Sequence, residues 1–572
     1  MNLKRQSFLK GSAVLIFMVL VTKIIGMVYK IPLTSMLGGS GMSCYSGAFA
    51  VFTPVFAAAA AGVPSAMSRL ISEQLAIGSY RNALRIKRTA LLIFSAISII
   101  LSVALIVSAN YLAVNVIHIP QARWAVIGVS FSLFPAAVIN IQRGWTEGLG
   151  SMTPTAESEI TETIFKLIFG LAGPYAVIDF AMKSFEQYHG CFGKYCSDTQ
   201  EVMLVCAPYA AAASVLGIAL ASAAASLYLF FRSLKINRTC EREYRNSGLP
   251  LSLSHRQASV MLMKFAVPAS ITAVAATLAG TADLVTITPL LQKAMDSADG
   301  LFDFLGAYGI PTGERAGFIY GSYTGLALII FGLVPTFTAM LGKSILPSLT
   351  ASCIRGDREE AGKGVRSLLL LSGGLAIPSG LGICVLARPI LRLFFAGSPA
   401  ECAVSAAPLS ILGIGVIFMG ISLPCLTALQ ACSRQVAAVG ITLFGAVLKL
   451  ALNIILIPIP EVNICGAALS TTISQAVICI WSVALLIRSA DAGKEAVFSL
   501  FTPLIPSAMC AFSAALTQQQ LANALNGGGD RFGVLISVAV GAIIYLFSIG
   551  LLCIMPKNQI GYNFSEKIKK NS

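Results

Sequence analysis

Residues 11–36 read GSAVLIFMVLVTKIIGMVYKIPLTSM, an apolar run whose only charged side chains are Lys23 and Lys30. A helix needs roughly 20 apolar residues to cross about 30 Å of hydrocarbon, so this run is long enough to span a membrane. It continues past Lys23 without a small-x-small cleavage site behind a short apolar core, which is atypical of a secretory signal. We therefore predict a retained membrane span rather than a cleaved leader.

Runs of this kind recur along the whole chain, separated by charged or Gly/Pro-rich breaks. The chain of 572 residues is 56% hydrophobic and 11% charged, whereas soluble domains carry about 25% charged residues. The sequence therefore predicts an all-α polytopic membrane protein with about 14 transmembrane helices. The fourteen runs are 11–36, 44–68, 89–110, 124–142, 160–182, 202–231, 261–290, 316–342, 367–387, 402–428, 437–458, 463–487, 496–516 and 532–555.

The net charge of +15 would also fit a nucleic-acid-binding protein. Such proteins need solvated basic faces, and apolar runs fill most of this chain, so we expect no nucleic-acid partner. The tails and loops that connect the spans lie alternately on the two sides of the membrane. Those on the side of the N-terminal tail hold 27 of the 40 Lys and Arg residues, and those on the other side hold 8. By the positive-inside rule, both termini are predicted to be cytoplasmic.

An internal repeat is visible when the first half of the chain is slid along the second. Lys10 and Gly26 meet Lys264 and Gly280 at a shift of 254. Five further identities occur at a shift of 278, pairing Tyr45, Gly47, Gly78, Ala83 and Arg88 with Tyr323, Gly325, Gly356, Ala361 and Arg366. We predict two pseudo-symmetric six-helix lobes, a basic cytoplasmic linker, and two further helices with a basic tail. The predicted boundaries are 1–231, 232–260, 261–488 and 489–572.

Eight ionisable residues remain inside the predicted spans. A charge there costs several kcal/mol unless it meets a partner or water, so these residues are where function is sought first. The basic ones are Lys23, Lys30, Lys166, Lys264 and Lys449, and the acidic ones are Glu162, Asp179 and Asp283.

The candidate substrate-binding residues are Lys23, Gly26, Lys30, Asp283 and Lys449. Lys23 and Lys30 are seven residues apart, so they share one helical face with Gly26. The repeat places Asp283 opposite Tyr29, at the depth of Lys30. Two interpretations stay open: an ion pair between Lys30 and Asp283 that holds the halves together, or a cationic cavity for an anionic headgroup. Two interpretations of Lys449 also stay open: it lines a cavity or binds a lipid phosphate, or it has a structural role.

The remaining polar residues favour structural explanations. Glu162 and Lys166 have the i, i+4 spacing of a local helix pair. Asp179 lies near the outer end of its span, where we expect it to be solvated. Cys191 and Cys196 form the only plausible disulfide, in an outer loop that reads CFGKYC, and the alternative of two free thiols stays open.

Signatures of catalysis are missing from the sequence. A phosphate loop at Lys343 would need glycine where Phe337 stands, and the three histidines are scattered over loops. No His/Cys/Asp cluster has metal-ligand spacing, so we expect no metal, cofactor or enzymatic activity. Prolines that interrupt the spans, such as Pro32 and Pro268, are typical of helices that bend in a transport cycle.

The N-terminal segment from Phe8 to Ile86, including GVPSAMSRLISEQ, resembles the stage V sporulation protein B family of polysaccharide biosynthesis proteins. YGSYTGLALIIFGLVPTFTAMLGKSILPSLT, within the segment Arg315–Phe394, continues the similarity. The family lies in the multidrug/oligosaccharidyl-lipid/polysaccharide (MOP) exporter superfamily, which includes lipid II flippases. Its architecture is twelve plus two spans in two lobes.

The resemblance implies that the chain translocates an undecaprenyl-diphosphate-linked saccharide across a bacterial plasma membrane by alternating access. Lys23 matches a span 1 position that carries functional basic residues in lipid II flippases, and Lys30 supplies a second charge about two turns further along. Spans 13 and 14 would hold the lipid tail. The partners implied are this lipid-linked diphosphate and membrane lipids, with the protein a monomer, and coupling to the membrane potential, Na⁺ or H⁺.

Two other classes compete with this interpretation. A cation-coupled multidrug antiporter of the same superfamily would want acidic residues in its cavity, whereas lysines exceed acids in these spans. A membrane glycosyltransferase would need catalytic acids at a membrane face. The only such cluster is Asp296, Asp299, Asp303 and Glu314, which we interpret as a solvated acidic loop.

Overall fold

The computed structural model describes residues 8–244, 253–297, 303–355, 357–432, 434–524 and 530–554. The described chain is helical except for one hairpin of two short strands, β1 and β2. In chain order the elements are α1 Phe8–Phe56, α2 Val63–Ala76, α3 Tyr80–Asn115, α4 Arg123–Ser130, α5 Leu133–Gly148, α6 Thr153–Tyr188, β1 Gly190–Cys191, β2 Lys194–Tyr195, α7 Thr199–Tyr244, α8 His255–Asp296, α9 Arg315–Ser322, α10 Leu328–Arg355, α11 Arg358–Phe394, α12 Pro399–Ala431, α13 Gln435–Leu456, α14 Asn463–Ser489, α15 Gly493–Phe501, α16 Leu504–Ala524 and α17 Asp530–Ile554.

The predicted membrane spans all fall on these helices, and 12 described stretches are long and apolar enough to cross a bilayer. The protein is therefore an all-α, multi-pass membrane protein, as the sequence predicts. Several spans are broken where the sequence suggested single helices. The second and the eighth contain π-helical turns, at Ala57–Ala61 and Tyr323–Ala327. The fourth divides into α4 and α5 after Ser130, and the thirteenth divides into α15 and α16 at Thr502.

The first span and the beginning of the second lie on α1, whose helical backbone is interrupted at Gly38 (φ 60°, ψ −174°). A positive φ favours glycine, because a side chain in that region meets the following carbonyl. The next amide, the N–H of Gly39, donates to Glu401 Oε1 at 3.0 Å. Gly321 packs directly against this point, since a Cβ there would lie 1.8 Å from the Gly39 carbonyl oxygen. Glycines at the bend thus let two chain segments approach within backbone contact.

A π-helical turn, Ala57–Ala61, separates α1 from α2. It lies between Pro54 and Pro64, which cannot donate backbone hydrogen bonds to the helix, so the ladder is weakened on both sides. Asn140 Nδ2 donates to the Ala60 carbonyl at 3.2 Å and satisfies a carbonyl of the widened turn. The alanine run that the sequence placed in span 2 is therefore a local break in helix geometry.

Backbone contacts divide the chain into two compact units. Unit 1 comprises 1–329, 397–405 and 439–470, and unit 2 comprises 330–396, 406–438 and 471–572. Every contact discussed below lies within one unit. The division into lobes at 231, 260 and 488 that the repeat suggested remains a prediction.

Unit 2 ends in a helical hairpin of α16 and α17. Tyr545 of α17 donates its hydroxyl hydrogen to the Gly374 carbonyl of α11. Arg366 of α11 donates to the Ala492 carbonyl and to Glu495. These bonds fix α15 and α17 to α11, the ninth predicted span.

Candidate functional site

A buried ion pair occupies the interior of unit 1. Lys449 Nζ lies 2.6 Å from Asp283 Oδ2, and the two side chains are only 11% and 8% exposed. Asn453 Nδ2 donates to the second carboxylate oxygen, Oδ1, at 3.1 Å. Both oxygens of Asp283 are therefore engaged by α13.

The spacing along α13 explains this arrangement. Lys449 and Asn453 are four residues apart, so they lie one above the other on the same face of the helix. Asn453 also donates to Thr286 Oγ1 at 3.0 Å, three residues beyond Asp283 on α8. Ser470 of α14 donates to Asn453 Oδ1 and completes a polar network across α8, α13 and α14.

The network is costly to assemble and therefore specific. Removing two charges from water costs several kcal/mol per ion, and this cost is recovered only with close contact and additional hydrogen bonds. Here the carboxylate has a lysine on one oxygen and an amide on the other, so the usual penalty of an unpaired charge in a membrane interior is avoided. The network holds α8 and α13 at one relative register.

The sequence placed Lys30, not Lys449, opposite Asp283, and the structure corrects this pairing. The residue that the repeat equates with Asp283 is Tyr29. Its side chain is 1% exposed, and its hydroxyl lies 2.9 Å from Ser214 Oγ on α7. Adjacent helical residues point about 100° apart, so Lys30 projects from another side of α1. The Asp283 carboxylate instead bonds to Lys449 and Asn453 of α13.

The helix that carries Lys23, Gly26 and Lys30 is α1, as the sequence predicts. The side chain of Lys23 lies outside the described residues, and Lys30 is half-buried. A Cβ built on Gly26 would meet nothing within 4 Å, and the same holds for its repeat counterpart Gly280 on α8. Both glycines thus face open space.

A second polar cluster connects α5, α6 and α7. Arg143 donates to Glu162 Oε2 at 3.0 Å and to Ser158 Oγ at 2.9 Å. Ser222 of α7 donates to the other Glu162 oxygen at 3.0 Å. The predicted local pair of Glu162 with Lys166 is therefore replaced by a contact between helices. From the sequence, Arg143 falls just outside the fourth predicted span. In the structure it lies inside α5, where Glu162 neutralises its charge.

The other in-span charges also have defined surroundings. Lys166 Nζ lies 5.3 Å from the centre of the Tyr29 ring, within the range of a cation–π interaction. Asp179 and Lys183 form an exposed i, i+4 pair at 2.6 Å, consistent with the solvated position expected of Asp179. The three in-span acids are thus hydrogen-bonded to Arg143, Lys183 and Lys449, all on helices other than α1.

Asn453, Thr286 and Ser470 were not predicted from the sequence. The only local signal was an Asn one turn after an intramembrane lysine. Among the described residues, no group of three or more His, Cys, Asp or Glu side chains could hold a metal ion.

The described helices and their buried charges form a multi-pass membrane fold, which solved members of the MOP exporter superfamily share. Two family models match different parts of the chain: "Polysaccharide biosynthesis protein" over residues 8–180 and "Lipid II flippase MurJ" over residues 322–557. The resemblance to the stage V sporulation protein B and polysaccharide biosynthesis proteins of this superfamily is thereby confirmed.

Two relatives from Bacillus subtilis (strain 168) align over nearly the full length. Lipid II flippase MurJ is 22% identical over 552 residues, 94% of each chain. Stage V sporulation protein B is 21% identical over 572 residues, 97% of each chain. The chain thus aligns with both over nearly its whole length.

Solved structures show the same fold. A lipid II flippase MurJ in an inward closed conformation superposes with a TM-score of 0.62 at 16% identity, covering 94% of this chain and 98% of that one. An inward-facing multidrug resistance MATE family transporter superposes with a TM-score of 0.58 at 14% identity, covering 84% of this chain and 98% of that one.

Proposed function

We propose that this protein is a flippase that exports an undecaprenyl-diphosphate-linked saccharide across the bacterial plasma membrane by alternating access, with both termini cytoplasmic. The single observation that carries the proposal is the alignment over nearly the whole chain with a lipid II flippase and with stage V sporulation protein B. The match of both halves to polysaccharide-related family models supports it.

The chemistry of the spans supports an anionic substrate. A diphosphate in a low-dielectric cleft needs positive charge and strong hydrogen-bond donors, which lysine ammonium groups supply. Lys23 and Lys30 lie on one helix with Gly26 between them, and Gly26 faces open space. We propose that these two lysines bind the diphosphate.

The Lys449–Asp283 centre has a different role in this proposal. Because Lys449 is bonded to Asp283, it is better placed to fix α8 against α13 than to bind substrate phosphate. A cation-coupled multidrug antiporter, the rival of the same fold, would need Asp283 to exchange with a cation. In this structure Lys449 is already bonded to the Asp283 carboxylate, where a transported cation would have to bind. This favours the flippase.

Complementation tests the proposal. The gene is expressed in a strain depleted of its lipid II flippase, and precursor accessible on the outer face is measured by its cleavage with an externally added enzyme. We expect the wild-type protein to restore outward precursor, and Lys23→Ala and Lys30→Ala to reduce it about tenfold or more. Lys30→Arg keeps the charge and should retain part of the activity.

Lys183→Ala is the matched control, because Lys183 is an exposed basic residue on α6 whose side chain is 71% accessible. It should export normally. All variants are compared at equal membrane abundance. Normal export by both Lys23→Ala and Lys30→Ala would overturn the assignment of the binding residues, and export of a cationic dye without any precursor export would favour the antiporter.

A further inference from the structure

At one end of unit 1, two cavities adjoin and share a wall. The first has a volume of about 420 Å³ and the second about 450 Å³. Pro120, Gln121 and Glu314 line both cavities, which together we call the outer groove. It lies where α3 and α8 end and α4 and α9 begin, the end that the charge distribution places outside the cell. Each volume is within the range of about 300–1,000 Å³ that is typical of small-molecule sites.

The first cavity contains polar atoms that lack partners among the described residues. Thr288 is only 4% exposed, and its Oγ1 has no hydrogen-bond partner there. The same is true of Ser40 Oγ and of Glu314 Oε2. The other Glu314 oxygen accepts from Gln121 Nε2 at 3.3 Å, which orients the carboxylate. Buried polar atoms without partners are costly, so these groups indicate a hydroxyl-rich ligand or water at this wall.

The second cavity has an aromatic wall. The ring of Phe192 stacks on Tyr209 with centroids 4.3 Å apart and an interplanar angle of 17°. The Trp124 ring centroid is 6.3 Å from that of Tyr209, and Trp124 is 39% exposed. Arg123 lies over the Trp124 ring, with Cζ 4.7 Å from its centroid. Aromatic rings with neighbouring polar groups suit a ligand that has both an apolar face and hydroxyl edges.

The hairpin of β1 and β2 carries Phe192 and Tyr195 to this wall, and its base is fixed. Glu201 accepts from the Ser197 backbone N–H at 2.7 Å and from the Ser197 hydroxyl at 2.6 Å. Cys191 and Cys196 lie side by side beneath the hairpin with their sulfurs 3.7 Å apart. The hairpin is therefore a supported part of the groove wall.

The charges along the groove balance. Arg123 and Lys194 are matched by Glu201 and Glu314 in the lining of the second cavity. A phosphate-bearing ligand would favour an excess of positive charge, and a cationic ligand an excess of negative charge. Mixed charges, amides and hydroxyls beside aromatic rings instead suit a neutral polyhydroxylated ligand.

We propose that the outer groove is a binding site for a neutral saccharide, separate from the intramembrane lysines. Sugar rings would stack on Trp124 and Tyr209, while hydroxyl groups would donate to Glu314 and Thr288 and accept from Gln121. The site goes beyond the proposed transport function, because it needs neither the lipid nor the diphosphate.

Calorimetric titration of the purified full-length protein tests the site. The protein is held in a detergent without a sugar headgroup and titrated with chitotetraose and with maltotetraose. We expect saturable binding of at least one of these. Trp124→Ala and Tyr209→Ala should weaken it about tenfold, the loss expected for one stacked ring. Glu314→Gln should weaken it while leaving the aromatic wall intact.

Tyr188→Ala is the matched control, an aromatic residue 77% exposed at the same end of the molecule that lines neither cavity. Its binding should equal that of wild type. Lys30→Ala should also bind normally, so failure of the transport proposal leaves this result unaffected. Absence of binding by both oligosaccharides, unchanged affinity in the Trp124 and Tyr209 variants, or binding of an unrelated tetrapeptide in their place would overturn the proposal.

Discussion

Lys449 and Asp283, 166 positions apart in the chain, form a buried ion pair at 2.6 Å that joins α13 to α8. Neither residue has a neighbour of opposite sign within its own helix turn. The pair is therefore a product of helix packing, and Asn453 and Ser470 extend it to α14.

Removing one member of this pair should destabilise the protein more than removing both. Lys449→Met leaves a buried, unpaired carboxylate and should cost about 3–5 kcal/mol, whereas Lys449→Met with Asp283→Leu should recover most of that loss. Thermal unfolding of the purified variants, followed by loss of monodisperse protein, measures the difference. A double variant no more stable than the single one would contradict the pairing. Lys183→Met, in an exposed pair, should leave the unfolding temperature close to that of wild type.

Two glycine substitutions should differ sharply. In Gly321→Ala the new Cβ would lie 1.8 Å from the Gly39 carbonyl oxygen, so the backbones must separate and the folded yield should fall. Gly26→Ala meets nothing within 4 Å and should fold normally. Fluorescence size-exclusion chromatography of tagged variants compares them. Equal folded yields would show that the close approach at Gly39 is not required.

The thiol of Cys191 should react slowly in the reduced, folded protein. Burial, followed by the nearby Cys196 thiol, raises the pKa of Cys191 from 9.0 to about 12. The reactive thiolate is therefore scarce at pH 8, and alkylation should accelerate as the pH approaches that raised pKa. Pulsed alkylation with mass spectrometry should show much faster labelling after unfolding in detergent at the same pH. Equal rates in the two states would contradict the burial.

Export should depend on the membrane potential. Moving an anion outward across an inside-negative membrane is favourable by about 2.3 kcal/mol per charge per 100 mV. Collapsing the potential with valinomycin and potassium, with the pH gradient preserved, should therefore slow appearance of precursor on the outer face in the complemented strain. An unchanged rate with the potential collapsed, but a reduced rate without sodium, would assign the driving force to Na⁺ instead.

The sequence by itself determined the helical membrane architecture. Each span is set by a local property, the length of an apolar run, because a helix satisfies its backbone hydrogen bonds within the segment. For the same reason the isolated charges Lys30, Asp283 and Lys449 could be singled out by position alone. Similarity along nearly the whole chain then indicated the superfamily.

Only the tertiary structure decided which of these charges meet. The repeat gave the depth of Asp283 along its helix but not its direction around the axis, and one residue of difference turns a side chain by about 100°. Packing directs Asp283 towards Lys449, and it directs Glu162 towards Arg143 instead of Lys166. The outer groove likewise brings together loop and helix ends far apart in the chain. Partners are chosen by how helices rotate and pack, and no local pattern of hydrophobicity records that rotation.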